Sequence, residues 1–380
     1  MRSCLVVVLL SITLIFSCSK ETQDTYTIEM IDGVKHIKNH VPLWGDKQKV
    51  GLEFVQQIGE LDGTDNNYLF FRPFDVFRHK NGNLYITDSG NYRIQIFDPD
   101  GKYLRTIGRK GQGPGEFEFR PAYIDSDSKG NMYIAMEHSR KKFQIIRENG
   151  EFGIRFDLSQ TGFWFRVSSS GEIFLSYSNA PITYNNDNQP VREYTTYDFL
   201  VGVFDSQGNL KKEIGNPFDF GDHNVSRLAN SNYIDIDADD NLYVLFQNKN
   251  IIDRYSKIGN LELRIEYPAE LDKAYKIGRR KSSVPGSDWE FEFPDFPNYA
   301  HNIGIDNKDR IWIMTTENSK IEDSVAKYIY NFTIFDNEGV LLGKIPAPDV
   351  IGWMRIFQDR LYIIEPMTKM CIYEYRIVEK

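Results

Sequence analysis

A turn-and-strand frame that recurs six times constrains this chain more than any other feature. Residues 81–108, NGNLYITDSGNYRIQIFDPDGKYLRTIG, read as a turn at Asn81-Gly82-Asn83, an apolar strand, a polar corner, an alternating strand, a second turn at Pro99-Asp100-Gly101 and a last strand. Alternation punctuated by tight turns belongs to antiparallel sheet, not to βαβ units. The first half returns as GNMYIA from Gly130, GEIFLS from Gly171, DNLYVL from Asp240, DRIWIM from Asp309 and DRLYII from Asp359. The second half returns as RENGEF from Arg147, DSQGNL from Asp205, SKIGNL from Ser256 and DNEGVL from Asp336. Aligned on one turn position the copies sit at 83, 131, 172, 241, 310 and 360, so they are spaced by 48, 41, 69, 69 and 50 residues. A further short strand, such as PFDVF or NYIDID, precedes each turn. Four strands per copy and six copies make an all-β, six-bladed β-propeller of four-stranded antiparallel blades.

The last copy stops after MCIYEYRIV, one strand short, while LEFVQQIG at 52–59, ahead of the first copy, reads like YLRTIG at 103–108. The N-terminal segment is therefore expected to pair with the last blade and close the ring. The propeller then spans 26–380, with blade cores near 74–108, 122–158, 164–215, 232–267, 301–345 and 351–380 plus 52–59. Blade one with its link, GNLYITDSGNYRIQIFDPDGKYLRTIGRKGQGPGEF, resembles an NHL repeat. Blade two matches less closely, and blades three to six keep the frame but lose the NHL consensus. Nearly the whole mature chain resembles the six-bladed propeller lipoproteins of Bacteroidetes-type bacteria. That resemblance implies the fold and a cell-envelope location; it implies no particular activity, because propellers host many functions.

The N-terminus agrees with that location. Arg2, an apolar run from Leu5 to Phe16 and then Ser17-Cys18 make a secretory signal over residues 1–17, with an anchor linker at 18–25. The apolar run is shorter than the roughly 20 residues that span a bilayer. Ile15-Phe16-Ser17-Cys18 resembles a lipobox, which implies acylation of Cys18 and outer-membrane anchoring, the domain facing either the periplasm or the outside. Cys4 leaves with the signal, so Cys371 is left without an internal disulfide partner and reads as a small buried hydrophobe. Removing residues 1–17 leaves 44 cations against 54 anions. This acidic balance argues against nucleic acid as a partner, and the expected form is a monomer.

Insertions identify the working face. The turns joining each inner strand to the next are short, whereas 178–199, 268–300 and 316–328 all fall in connections on the opposite, top face. One elaborated face on a rigid scaffold is how binding sites are usually built. Segment 268–300 carries Arg279, Arg280, Trp289 and five further aromatics. Two readings stand for it: an aromatic and cationic lip over the channel, or a loop anchored to the scaffold by its own rings. His301 opens the inner strand of blade five in AHNIGID, flanked by Asn302, with Asn232 at the matching place in blade four. In the peptide-amidating lyases of similar architecture, histidines at such places bind zinc. Here the equivalent positions are Phe74, Ala122, Phe163, Asn232 and Ile351, so the ligand set is incomplete. His138 and His223 lie in top connections away from that position. Arg72 and Arg120, each before a proline that opens an inner strand, could meet an anionic ligand or pair with an acid of a neighbouring blade.

DSDSKGN (125–131) and DIDADDN (235–241) lack the full ligand pattern of a calcium loop and read as turns. GRKGQGPGEF (108–117) has no following helix and no Gly-Lys-Ser/Thr, so it reads as a link between blades one and two. The leading expectation is a lipid-anchored module that binds a small molecule, glycan, peptide or envelope protein on the top face. The alternative is a lyase or lactonase-like hydrolase using calcium or zinc in the channel.

Overall fold

The computed structural model describes residues 24–137, 141–177, 183–184, 190–191, 198–220, 226, 229–268, 276–281, 290–295, 299–322, 325–349 and 352–380. The side chains of 183–184, 190–191, 276–281, 290–295, 317–322 and 325–328 lie outside that description. The six copies fold as six antiparallel blades. Blade one shows the pattern: inner strand Pro73–Arg78, then Leu84–Asp88, Arg93–Phe97 and outer strand Tyr103–Ile107. The other inner strands are Pro121–Ser126, Gly162–Val167, Asn232–Ile236, Ala300–Ile305 and Trp353–Phe357. The segment 316–328 partly continues its blade, because strands Ile311–Glu322 and Val325–Phe335 pair as far as Glu322 and Val325.

Turn chemistry fixes the frame. Asp98 Oδ1 accepts from the backbone N–H groups of Asp100 and Lys102, and Gly101 adopts φ +77° to let the chain reverse. Asp205 and Asp336 repeat the arrangement in blades three and five. Between the turns, second strands such as Leu84–Asp88, Met132–Met136 and Leu242–Phe246 are buried along their whole length. Both faces of such a strand meet a neighbouring blade, and so apolar residues run through it instead of alternating. The core is accordingly six clusters, one per blade interface, as with Phe77, Ile94 and Ile96 of blade one against Ile124, Met132 and Ile134 of blade two. Phe117, from the glycine-rich link, is buried in that same interface.

Closure follows the expected route. Val50–Ile58 is the outer strand of blade six, antiparallel to Cys371–Glu379 from Val50↔Glu379 to Ile58↔Ile372. Cys371 is fully buried there. A second device was not foreseen: blade four has six strands rather than four. The hairpin Tyr26–Ile31 and Val34–Asn39 lies outside Leu261–Glu266, with Val34–Asn39 parallel to it. Asn39 then donates to Glu266 O and Gly339 O and accepts from Leu341 N–H, while Leu43 and Trp44 N–H bond to Leu341 O and Leu342 O. The N-terminal segment thus spans the rim from blade four across blade five to blade six.

Candidate functional site

The inner strands build the site through their two-residue period. Val76, Ile124, Phe165, Ile234, Ile303 and Met354 are buried in the blade interfaces, and the residues before and after each of them form two rows across the six inner strands. Nearer the strand starts, one row holds Asp75, Tyr123, Trp164, Tyr233, Asn302 and Trp353. Two residues further along, the next row holds Phe77, Asp125, Arg166, Asp235, Gly304 and Arg355.

The first row is a band of rings. Register shifts leave Phe74, Ala122 and His301 as bulged residues in blades one, two and five, and bulges re-aim side chains. Phe74 thereby sits 5.2 Å from Trp353 and 4.9 Å from Tyr123, ring centre to ring centre. Tyr123 to Trp164 and Trp164 to Tyr233 are each 5.1 Å. These tilted and edge-to-face contacts run without a break from blade six to blade four. All five residues are half-buried. Burial first, then the neighbouring Tyr330 phenol, push the Tyr233 hydroxyl up to about 12, so it stays neutral.

The floor is a charge network. Arg355 Nη1 donates to Asp75 at 2.9 Å, and its Nη2 lies 3.6 Å from Asp125. Arg166 Nε donates to Asp235 at 2.6 Å. Asp75 also accepts from the N–H groups of Val76 and Ile124, and Asp125 from those of Ser126 and Val167. Each of these two carboxylates therefore ties its own blade to the next. Loss of water raises the pKa of both, against the lowering effect of Arg355.

The expected site residues divide. His301 borders the band: its Nε2 is 2.5 Å from Thr316 Oγ1 and its ring 5.5 Å from that of Tyr330. Burial pulls its pKa down to about 4, so it is neutral near pH 7. Asn302 is buried in the ring row. Asn232 is a stitch between blades, accepting from Ser176 Oγ and donating to Asn230 O. Arg72 and Arg120 both turn to Glu137, at 2.7 and 3.6 Å, which Ser89 also reaches. The pairing alternative therefore describes Arg72, whereas Arg120 meets an acid of the blade it opens. Asp88 and Arg93 form a pair at the blade corner, at 2.7 Å. Arg279 and Arg280 lie on strand Lys276–Lys281, paired with Glu290–Asp295. Cys18, His138, His223, Trp289 and Ile351 lie outside the described residues.

The ring row and the floor were missed from the sequence. Their signal was the column that runs down the inner strands, Asp75, Tyr123, Trp164, Tyr233, Asn302 and Trp353, which emerges only when the copies are aligned on strand register. Among the described residues, no three His, Cys, Asp or Glu side chains converge to hold a metal. The arrangement offers an aromatic cup over a floor of two arginines and three carboxylates.

Comparison with known proteins agrees with this architecture. A Bacteroides vulgatus protein of the DUF4221 family superposes with a TM-score of 0.54 at 13% identity, covering 87% of this chain and 99% of its own. A Bacteroides fragilis protein gives 0.53 at 13%, covering 91% and 99%. Virginiamycin B lyase from Staphylococcus aureus gives 0.47 at 12%, covering 87% and 100%. No match was found among curated proteins. The family model described as a 6-bladed beta-propeller, DUF5128, matches residues 63–256, just over half of the chain, and the chain belongs to that family.

Proposed function

We propose that this protein is a lipid-anchored propeller of the cell envelope that binds a ligand at its channel mouth and carries out no chemistry on it. The observation that carries this reading is the aromatic cup. Five half-buried rings from blades six, one, two, three and four converge at one end of the channel. Half-exposed aromatic surface held by a rigid scaffold suits non-covalent capture. The groups beneath it are committed to one another, and His301 is held by Thr316. The lipobox-like Ile15-Phe16-Ser17-Cys18 and the NHL-like blade one support the anchored, envelope-located part of the reading.

Two measurements test it. Cys18→Ala should move the protein from the membrane to the soluble fraction; unchanged fractionation would mean that Cys18 is not the attachment. Metal analysis of the purified protein should find no stoichiometric metal that depends on His301. Zinc or calcium lost on His301→Ala would turn the reading toward the metal-assisted lyase or hydrolase.

A further inference from the structure

We propose that the cup selects a ligand bearing an alkylated ammonium group, a quaternary or tertiary amine on an apolar body, and this rests on the channel-mouth reading above. The walls and the floor point to the same charge. The five rings present π-surface whose faces carry partial negative charge, and an alkylated ammonium is weakly hydrated enough to give up water for such surface. Asp75 belongs to the ring row itself, taking the blade-one place that Tyr123, Trp164, Tyr233 and Trp353 take in their own blades.

The next row lies about 7 Å deeper at two strand residues. Among the described residues, its Asp125 and Asp235, together with Asp75, pair with Arg166 and Arg355, so three carboxylates face two guanidiniums. With all three ionised the surplus is negative, and Asp75 and Asp125 are buried where screening is poor. An anion would approach this surplus with both arginines already bound to carboxylates. A carbohydrate requires polar partners around its rim. In the row itself, Asn302 is the one uncharged amide, and Phe74, Tyr123, Trp164, Tyr233 and Trp353 fill the mouth elsewhere. A cation with an apolar body needs neither a free guanidinium nor a polar rim.

The test pairs two probes of one shape. The purified protein is titrated with choline and with 3,3-dimethylbutan-1-ol, its uncharged isostere, following Trp emission and heat. N-acetylglucosamine and acetate serve as further arms. Choline should saturate, with the isostere weaker by at least about tenfold. Trp164→Ala should weaken choline by about tenfold or more, while Tyr233→Leu, which keeps an apolar filler, should narrow the gap between the two probes. Equal binding of choline and isostere, or tighter binding of the sugar or acetate, would overturn the cation assignment and leave a channel-mouth binding site in place. No saturable response to choline from a folded protein would overturn it as well. Metal-dependent turnover would instead count against the binding-module reading itself.

Discussion

Arg355 joins three blades with one side chain. It stands on blade six, donates to Asp75 of blade one, and lies beside Asp125 and the Ile124 carbonyl of blade two. Removing it leaves two buried carboxylates short of their cation, an imbalance that typically costs about 3–5 kcal/mol. Arg355→Met should therefore lower the urea midpoint sharply. Arg355→Lys should recover only part of the loss, because an ammonium lacks the fork that serves two acceptors. His301 makes a separate prediction. Its folded pKa, about 4, lies below that of an exposed histidine, so the unfolded chain binds the extra proton first. Its contribution is present above about pH 6.5 and is lost as pH falls toward 4, by up to about 3 kcal/mol. Denaturation at several pH values should show that slope, and His301→Gln should flatten it. Neither role was legible from single residues. An arginine among apolar neighbours looks the same in sequence whether it reaches solvent or a carboxylate on another blade.

At the level of elements, turns and strands were legible because they are local. The Asp-x-x-Gly turns satisfy their own backbone donors within five residues, as Asp98 does, and need nothing distant. The outer strand at Val50–Ile58 was found because its partner was visibly missing from the last copy. The hairpin Tyr26–Asn39 gave no such signal, because blade four already had its four strands and the addition is an extra edge. The two N-terminal devices should therefore behave differently on deletion. Removing residues 24–39 strips an outer addition and the Asn39 link, and should lower the thermal midpoint while leaving one cooperative transition. Removing residues 24–58 takes away the fourth strand of blade six and exposes its buried third strand, and should abolish cooperative unfolding. A truncated 59–380 chain with full thermal stability would contradict this account of closure.

At the level of the whole molecule, the ring was legible and its centre was not. Counting copies gives six blades, since every interface repeats one apolar pattern and closure demands no further information. The centre is made from a few inner-strand side chains per blade. Its chemistry depends on which inner-strand residue each blade turns inward, and the bulges at Phe74, Ala122 and His301 shift that choice by one. Arg72 and Arg120 illustrate the same limit: their matching positions were visible, but the shared Glu137 comes from a connection that sequence distance hides. The top-face insertions remain the part of the molecule whose length sequence reveals and whose placement it does not.

The seam at blade six also sets an order of events. Val50–Ile58 leaves the ribosome early, and its partner Cys371–Glu379 is made some three hundred residues later. Throughout synthesis, then, the growing chain carries a strand with no neighbour, an edge of the sort that invites wrong pairing. The blade-four hairpin shortens that wait for the residues before it, since Leu261–Glu266 emerges more than a hundred residues sooner. The segment that locks the finished ring is thus secured in two instalments, the first while the ring is still open.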